Sequence, residues 1–205
     1  MSPQHHPSDD VLTAYAAGAL EPGFGLVVGA HVELCAHCRA RVGVFEATSG
    51  AALEAMPQET VDKDALAKVL ARLEAPQEQS PTPDRRPLLQ RLSLKRKKWV
   101  APGVWVAGVD TPHAPLNRVY LLSVAAGGLT ARHQHSGAEF CTVLSGAYRD
   151  ELGIFAAGDF AAAESDLNHQ PVVQGDETCV CLFATEGRLK PQGLLGRLAF
   201  AYADV

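Results

Sequence analysis

The chain has no long hydrophobic run: no stretch of about 18 consecutive apolar residues, the minimum expected of a membrane-spanning helix, occurs in it. Its N-terminal segment, MSPQHHPSDD, also lacks the basic residues and apolar core of a secretory signal peptide. We therefore expect a cytoplasmic protein with no membrane partner. In that compartment the five cysteines are expected to be thiols or metal ligands, not disulfides.

Positive charge is scarce except in one segment. The chain has 18 Lys and Arg against 23 Asp and Glu, but residues 76–98 contain seven of the basic residues and only two acidic ones. The simplest interpretation is a solvated basic linker between two acidic bodies, and contact with nucleic acid is the weaker alternative. An acidic N-terminal body suits a basic protein partner better than it suits DNA.

Helical periodicity dominates the first part of the chain. It predicts three helices, from Ser8 to Gly18, from Pro22 to about Ala47, and from Val61 to Leu73. Ser8 is a suitable N-cap, and Pro22 suits the first turn of the second helix. The third helix has an apolar face formed by Leu66, Val69, Leu70 and Leu73.

The pattern changes after residue 75. Residues 76–87 contain four prolines and no apolar periodicity, which is typical of a linker. From Trp99 onward, short alternating runs broken by Gly, Asp and Pro predict the strands of a sandwich or barrel. We predict an α+β protein with a helical domain at 1–75, a linker at 76–95 and an all-β domain at 96–205. The linker would leave the two domains without a rigid connection.

Three potential metal ligands are spaced along the second predicted helix. His31, Cys35 and Cys38 follow the pattern H-x3-C-x2-C, and in a continuous helix they would project within roughly 60° of one another. One imidazole and two thiolates can occupy three corners of a tetrahedral zinc site. The fourth ligand must come from elsewhere. His5 or His6, just before the first helix, could supply it, and these residues alone do not decide between the two.

Other interpretations of this motif exist. Cys35 and Cys38 could be small buried hydrophobic residues beside a solvated His31, or a CxxC redox pair. The added histidine and the nearby His-His pair favour a metal site. His37 would point about 100° away from Cys38 on a helix, so we do not expect it to be a ligand.

A second set of candidate ligands lies in the β region. The spacing Gly127-x5-His133-x-His135-x3-Glu139-x6-Gly146 resembles the first sequence motif of the cupin fold, a jelly-roll barrel. Residues two apart on a strand face the same side, so His133 and His135 are expected to point together, with Glu139 another even step away.

A further segment resembles the second cupin motif. Gly158 and Asp159 are predicted to form a turn, and His169 follows eleven residues after Gly158. The motif's usual proline is replaced here by Ala156. His133, His135, Glu139 and His169 are therefore the predicted ligands of a barrel metal, which on donor chemistry could be zinc, iron, manganese, nickel or copper.

The remaining cysteines lie in predicted strands. Cys141 is two residues after Glu139, and Cys179 and Cys181 share a face with Phe183. Buried structural thiols are the first interpretation. The alternative is that one of them lies beside the barrel metal and is oxidised when the protein responds to an oxidant.

The two motifs together resemble one family. The stretch HHPSDDVLTAYAAGAL followed by HVELCAHCRARVG, and then the cupin-like region, resembles the ChrR-type zinc anti-sigma factors of bacteria over nearly the whole chain and in the same order. The resemblance implies that His6 is the first zinc ligand, completing a site with His31, Cys35 and Cys38. It also implies zinc in the barrel.

The resemblance implies a regulator and not an enzyme. Such a protein binds and inhibits an extracytoplasmic-function sigma factor and releases it on oxidative stress, caused by singlet oxygen or organic hydroperoxide. The third predicted helix, with Asp62 and Asp64 near its start, is a candidate contact element. No direct contact with nucleic acid is expected.

Two other functions fit parts of the sequence. A metal-dependent cupin dioxygenase with a helical zinc-binding arm is the main alternative, and a metallochaperone is the other. A stand-alone dioxygenase has no chemical use for the helical zinc motif, so the motif favours the regulator.

Overall fold

A computed structural model describes residues 2–74, 86–111, 117–163 and 167–203. Their N-terminal part is helical and their C-terminal part is built mainly of antiparallel strands, which confirms the predicted α+β class. Most of the proline-rich segment, residues 75–85, lies outside the described residues, so the boundaries 1–75, 76–95 and 96–205 stay predictions. Among the described residues, no helix is long and apolar enough to cross a membrane.

Helices occur at both ends of the chain. They are α1 (Asp9–Ala16), α2 (Pro22–Leu34), α3 (Ala36–Glu54), α4 (Ala65–Glu74), α5 (Leu88–Arg91) and α6 (Leu194–Ala203). The strands are β1 (Lys98–Ala101), β2 (Val104–Gly108), β3 (Asn117–Val124), β4 (His133–Gln134), β5 (Glu139–Ser145), β6 (Ala147–Asp150), β7 (Gly153–Ala156), β8 (Phe160–Ala163), β9 (Asn168–His169), β10 (Val172–Gln174), β11 (Cys179–Glu186) and β12 (Lys190–Pro191).

The helix starts follow local chemistry. The Ser8 hydroxyl accepts a hydrogen bond from the Val11 backbone N–H at 3.4 Å, and Pro22 opens α2 as predicted. The third predicted helix begins at Ala65 and not at Val61. The Ala65 backbone N–H donates a hydrogen bond to the Asp62 carbonyl, in the turn that leads into the helix.

The prediction of one continuous helix from Pro22 to about Ala47 is wrong. The chain is extended at Cys35, with φ −112° and ψ 107°, so that α2 ends before it and α3 begins after it. The Cys35 thiol accepts a hydrogen bond from the Cys38 N–H at 3.5 Å and so caps α3. His31, Cys35 and Cys38 therefore do not lie on one face of a single helix: His31 is on α2, Cys35 is at the break and Cys38 is on α3.

The strands in the described part of the chain form three antiparallel sheets. The largest has the order β1-β2-β3-β11-β5-β8, and the smaller ones are β10-β6-β7 and β12-β4-β9. In the third sheet, His133 lies directly opposite His169. Two of the predicted barrel ligands are therefore neighbours across a strand pair.

The large sheet is apolar on both faces. On β11, Cys181 and Phe183 face the barrel interior, whereas Leu182 and Ala184 face the helices. The outward residues share one core with the helices, including Val27 and other buried residues of α2. The expectation of loosely connected domains is therefore wrong: the helical region packs directly on the barrel, because both surfaces are too apolar to remain exposed.

Specific contacts fix α2 on the sheet. The Thr142 hydroxyl, fully buried on β5, donates a hydrogen bond to the Val27 carbonyl at 2.9 Å. The Phe24 and Phe140 rings lie 4.4 Å apart. A buried hydrogen bond and an aromatic contact together set the position of α2 along β5.

Candidate metal centres

The helical cluster brings together one residue from before α1, one from α2, one from the break between α2 and α3, and one from the first turn of α3. The potential ligand atoms of His6, His31, Cys35 and Cys38 all lie within 4.8 Å of one another. His6 Nδ1 is 3.5 Å from Cys35 Sγ and 3.4 Å from Cys38 Sγ, and His31 Nε2 is 3.3 Å from Cys38 Sγ. Two imidazoles and two thiols at these separations are a suitable donor set for a tetrahedral ion.

The barrel orients both histidines of this cluster. Gly158, in the turn between β7 and β8, accepts a hydrogen bond from His31 Nδ1 at 2.7 Å through its carbonyl. That bond leaves Nε2 free to face Cys38. Asp159 accepts bonds from the Gln4 and His5 backbone N–H groups at 2.6 and 3.0 Å, and so holds the segment that leads into His6.

The same turn makes further hydrogen bonds to the N-terminal segment. The Phe160 N–H donates to the His5 carbonyl at 3.0 Å. His5 Nδ1 also lies 3.2 Å from an Asp159 carboxylate oxygen, so the ring of His5 turns away from the cluster. The residues alone allow either His5 or His6 as the fourth ligand, and the structure brings His6 to the cluster. His37 is outside it.

Burial makes the cluster a poor place for uncompensated negative charge. Burial, and then the neighbouring Cys35, raise the pKa of the Cys38 thiol to about 12. Burial also lowers the pKa of His31, despite the opposing effect of its bond to Gly158. A bound divalent cation would reverse this preference by stabilising thiolates, so the donor set fits a metal ion.

The barrel cluster contains all four predicted residues, each buried. The potential ligand atoms of His133, His135, Glu139 and His169 lie within 4.8 Å of one another. His169 Nε2 is 3.0 Å from His135 Nε2 and 3.1 Å from His133 Nε2. Three imidazole nitrogens and a carboxylate converge on one point inside the barrel.

Neighbouring acceptors orient two of these rings. His169 Nδ1 is 2.8 Å from an Asp150 carboxylate oxygen, and His133 Nδ1 is 2.9 Å from the Ala131 carbonyl. Each bond directs the opposite nitrogen, Nε2, to the centre of the cluster. Here the orienting groups belong to the barrel itself.

The barrel cluster has the electrostatics of a cation site. His135 Nδ1 and Glu139 Oε2 are buried 3.6 Å apart, and neither has a hydrogen-bond partner among the described residues. Burial lowers the pKa of His133 to about 4 and that of His135 to about 3, while burial and Asp150 raise the pKa of Glu139 to about 8. A metal ion would compensate the missing hydrogen bonds and the burial of these groups, so the residues fit one.

The sequence did not predict the groups that orient the ligands. Asp150, Asp159 and the Gly158 carbonyl act through contacts between residues far apart in the chain. In the sequence, the Gly158-Asp159 turn is identifiable only as part of a cupin motif. An acidic residue after such a turn indicates a hydrogen-bond acceptor, but the sequence does not indicate which segment donates to it.

The three strand cysteines are all buried and free of disulfides. Cys141, Cys179 and Cys181 belong to the barrel core, and the Cys179 and Cys181 sulfurs lie 3.7 Å apart. Burial raises the pKa of the Cys141 thiol. The geometry agrees with the structural interpretation and also places two thiols close together.

Comparisons with known proteins match this combination. Residues 91–189 match the model of the ChrR cupin-like domain. The anti-sigma-E factor ChrR of Cereibacter sphaeroides is 38% identical over 209 aligned residues, which cover 97% of each chain. The match to a crystal structure of Rhodobacter sphaeroides SigE in complex with the anti-sigma ChrR has a TM-score of 0.77 at 38% identity. It covers 90% of this chain and 100% of that one.

The match is broad enough to include both clusters. It extends from the helical region through the barrel, in the order in which the sequence motifs occur. The chain therefore belongs to the ChrR family of anti-sigma factors.

Proposed function

We propose that this protein binds and inhibits an extracytoplasmic-function sigma factor in the cytoplasm and releases it on oxidative stress, signalled by singlet oxygen or organic hydroperoxide. The observation that carries the proposal is the similarity over 97% of the chain to an anti-sigma factor, together with the match to a ChrR chain in complex with SigE. The role is regulatory and not enzymatic.

The helical cluster is proposed to hold a structural zinc ion through His6, His31, Cys35 and Cys38. Two thiolates favour zinc over harder cations, and all four protein ligands are present, as in a closed structural site. The ion would tie the N-terminal segment and the start of α3 to the end of α2. It would thereby stabilise a helical region with a small core of its own.

The sigma factor is proposed to contact the exposed apolar face of α4. Its side chains Leu66, Val69, Leu70 and Leu73 are between 50 and 70% exposed. Four aliphatic side chains on one side of a ten-residue helix are unusual without a partner. The face of the sheet that packs on α2 is already covered, so α4 is the better candidate.

The barrel is proposed to be the sensing part, with a metal ion, zinc by family resemblance, held by His133, His135, Glu139 and His169. The β7–β8 turn provides a physical route from the barrel to the helical zinc ligands. A change in the barrel that moves this turn would alter the position of His31 and of the segment before His6. We propose that sigma release follows this route.

The test is reconstitution with the sigma factor encoded next to this protein. The purified full chain should form a stoichiometric complex with it and inhibit transcription from its promoter. Substitution Leu70→Asp should weaken the complex by about 100-fold, because it places a charge in an apolar contact. Leu152→Asp, at an exposed apolar position in the barrel region, is the matched control.

Failure of the wild-type chain to bind or inhibit any extracytoplasmic-function sigma factor of its host would contradict the proposal. Turnover of a dioxygenase substrate by that same preparation would establish the cupin enzyme instead. Normal inhibition by the Leu70→Asp variant would exclude the α4 contact and leave the anti-sigma role intact.

A further inference from the structure

The barrel contains a cavity whose apolar part has no role in the proposed function. Its volume is about 670 Å³, in the range of sites for small molecules. Most of its lining is aliphatic or aromatic, with Val106, Leu122, Val124 and Phe183 among the wall residues. A cavity this apolar favours a hydrophobic occupant over a polar metabolite.

One end of the cavity is polar. His133, Glu139 and His169 line it, whereas the fourth cluster residue, His135, does not. A metal ion held by the cluster would thus be reachable from the cavity. The Phe200 ring of α6 lies 5.5 Å from the His133 ring and covers this end.

The strand register indicates how the cavity extends. Tyr120, Leu122 and Val124 line it at alternate positions of β3, and four residues of strand span roughly 13 Å. Glu139 pairs with Thr185 at one end of β11, while Val124 pairs with Cys179 at the other. The lining therefore runs along the strands, away from the polar end.

The cavity reaches the protein surface between β1 and α6. Its lining includes Leu198 and Tyr202 of α6, each 60% exposed, as well as Val100 and Pro102. Leu129, also exposed, contributes to the lining. Exposed apolar residues at an opening allow a hydrophobic chain to enter without crossing a polar rim.

We propose that this cavity binds a single-chain fatty acid or a closely related oxygen-headed acyl molecule, with its head group at the His133, Glu139 and His169 end and its chain along β3 and β11. The lining extends along β3 and β11, most of it is apolar, and His133, Glu139 and His169 form its polar end. This ligand site goes beyond the proposed sigma inhibition and does not require it.

The test is calorimetric titration of the metal-loaded full chain with octanoic, decanoic and dodecanoic acids below their micelle concentrations. One molecule should bind per chain, and affinity should rise on the order of tenfold for each two added methylene groups. Methyl decanoate should bind about tenfold more weakly than decanoic acid, because it lacks the anionic head. Equal affinities for acid and ester would overturn the head-group placement.

A cavity-filling variant locates the site. Leu122→Trp should weaken decanoic acid binding by about tenfold or more, whereas Ile154→Trp, at a half-exposed position outside the lining, should leave it unchanged. Val106→Phe provides a second filling variant if Leu122→Trp does not fold. No saturable binding to the wild-type chain, or equal binding to a folded filling variant, would overturn the proposal.

Discussion

The helical and barrel clusters each gather four potential ligands, but they obtain their support differently. The barrel cluster is oriented by groups of the barrel, Asp150 and the Ala131 carbonyl. The helical cluster depends on the β7–β8 turn, which lies in the other region of the molecule. The barrel site is therefore self-contained, whereas the helical site is sensitive to the barrel.

The two clusters also differ in the chemistry of their ligand atoms. The sulfur atoms of Cys35 and Cys38 can be oxidised, whereas the barrel cluster contains imidazoles and a carboxylate. The barrel cluster opens on a cavity. One region thus has access to small molecules and the other is joined to it by hydrogen bonds, an arrangement suited to a regulator with separate sensing and binding parts.

The strongest test of the comparison is Cys38→Ser. Cys38 Sγ lies near both His6 and His31, so its loss should reduce zinc affinity at the helical site by at least about 1,000-fold and abolish sigma inhibition. Metal analysis should still find the barrel metal. His37→Ala, with a ring near His6 but outside the cluster, is the control and should retain zinc. Full zinc in the Cys38→Ser protein would refute the proposed ligand set.

His169→Ala is the reciprocal test. Removal of this imidazole should weaken metal binding in the barrel by about 100-fold, since it leaves three ligands and an unpaired Asp150. Sigma inhibition should persist, but release by oxidant should be lost. Metal content, together with transcription assays before and after hydroperoxide treatment, measures both effects. An equal loss of metal from both clusters would contradict the comparison.

The orienting carboxylates sharpen the comparison further. Asp150→Asn should lower metal affinity in the barrel by about 30-fold and leave the helical site unchanged. Asp159→Asn should lower zinc affinity in the helical site by about tenfold, because it weakens the acceptor that holds the backbone of Gln4 and His5. Competition with a chromophoric chelator measures both affinities. If Asp150→Asn weakened the helical site and Asp159→Asn weakened the barrel site, the assignment of Asp150 to the barrel site and Asp159 to the helical site would be wrong.

The smallest effect is expected at the contact between the regions. Thr142→Val keeps the shape of the side chain but removes its hydrogen bond to the Val27 carbonyl. The free energy of unfolding should fall by about 1 kcal/mol in urea titrations, with both metals retained. Thr48→Val, which removes a hydroxyl bond at the exposed surface of α3, is the control and should change stability less.

Much of this organisation could be predicted from local patterns. The change from helical to alternating periodicity indicates the fold class, and the ligand spacings single out seven of the eight residues that the structure gathers into two clusters. The eighth, His6, is distinguished from His5 only by the family resemblance. The prediction of one continuous helix through these ligands is wrong, because Cys35 lies at a break and its thiol caps the next helix.

The interface between the regions was beyond the reach of local patterns. A proline-rich linker indicated independence, but the apolar residues on both faces of β11 require a second layer against the sheet. Similarly, the bond from His31 to Gly158 joins residues 127 positions apart. No local rule specifies which turn will meet which histidine.

Gly158 also has a consequence for reading related sequences. Its φ of +93° is strained for other residues, and a Cβ there would lie 2.8 Å from the Pro3 ring. A relative with glycine followed by aspartate at this turn can place its N-terminal segment against the barrel as this chain does. A relative with a bulkier residue must bring its first histidine to the cluster by another path. An alignment of this one turn can therefore sort family members by whether their two regions are joined in the same way.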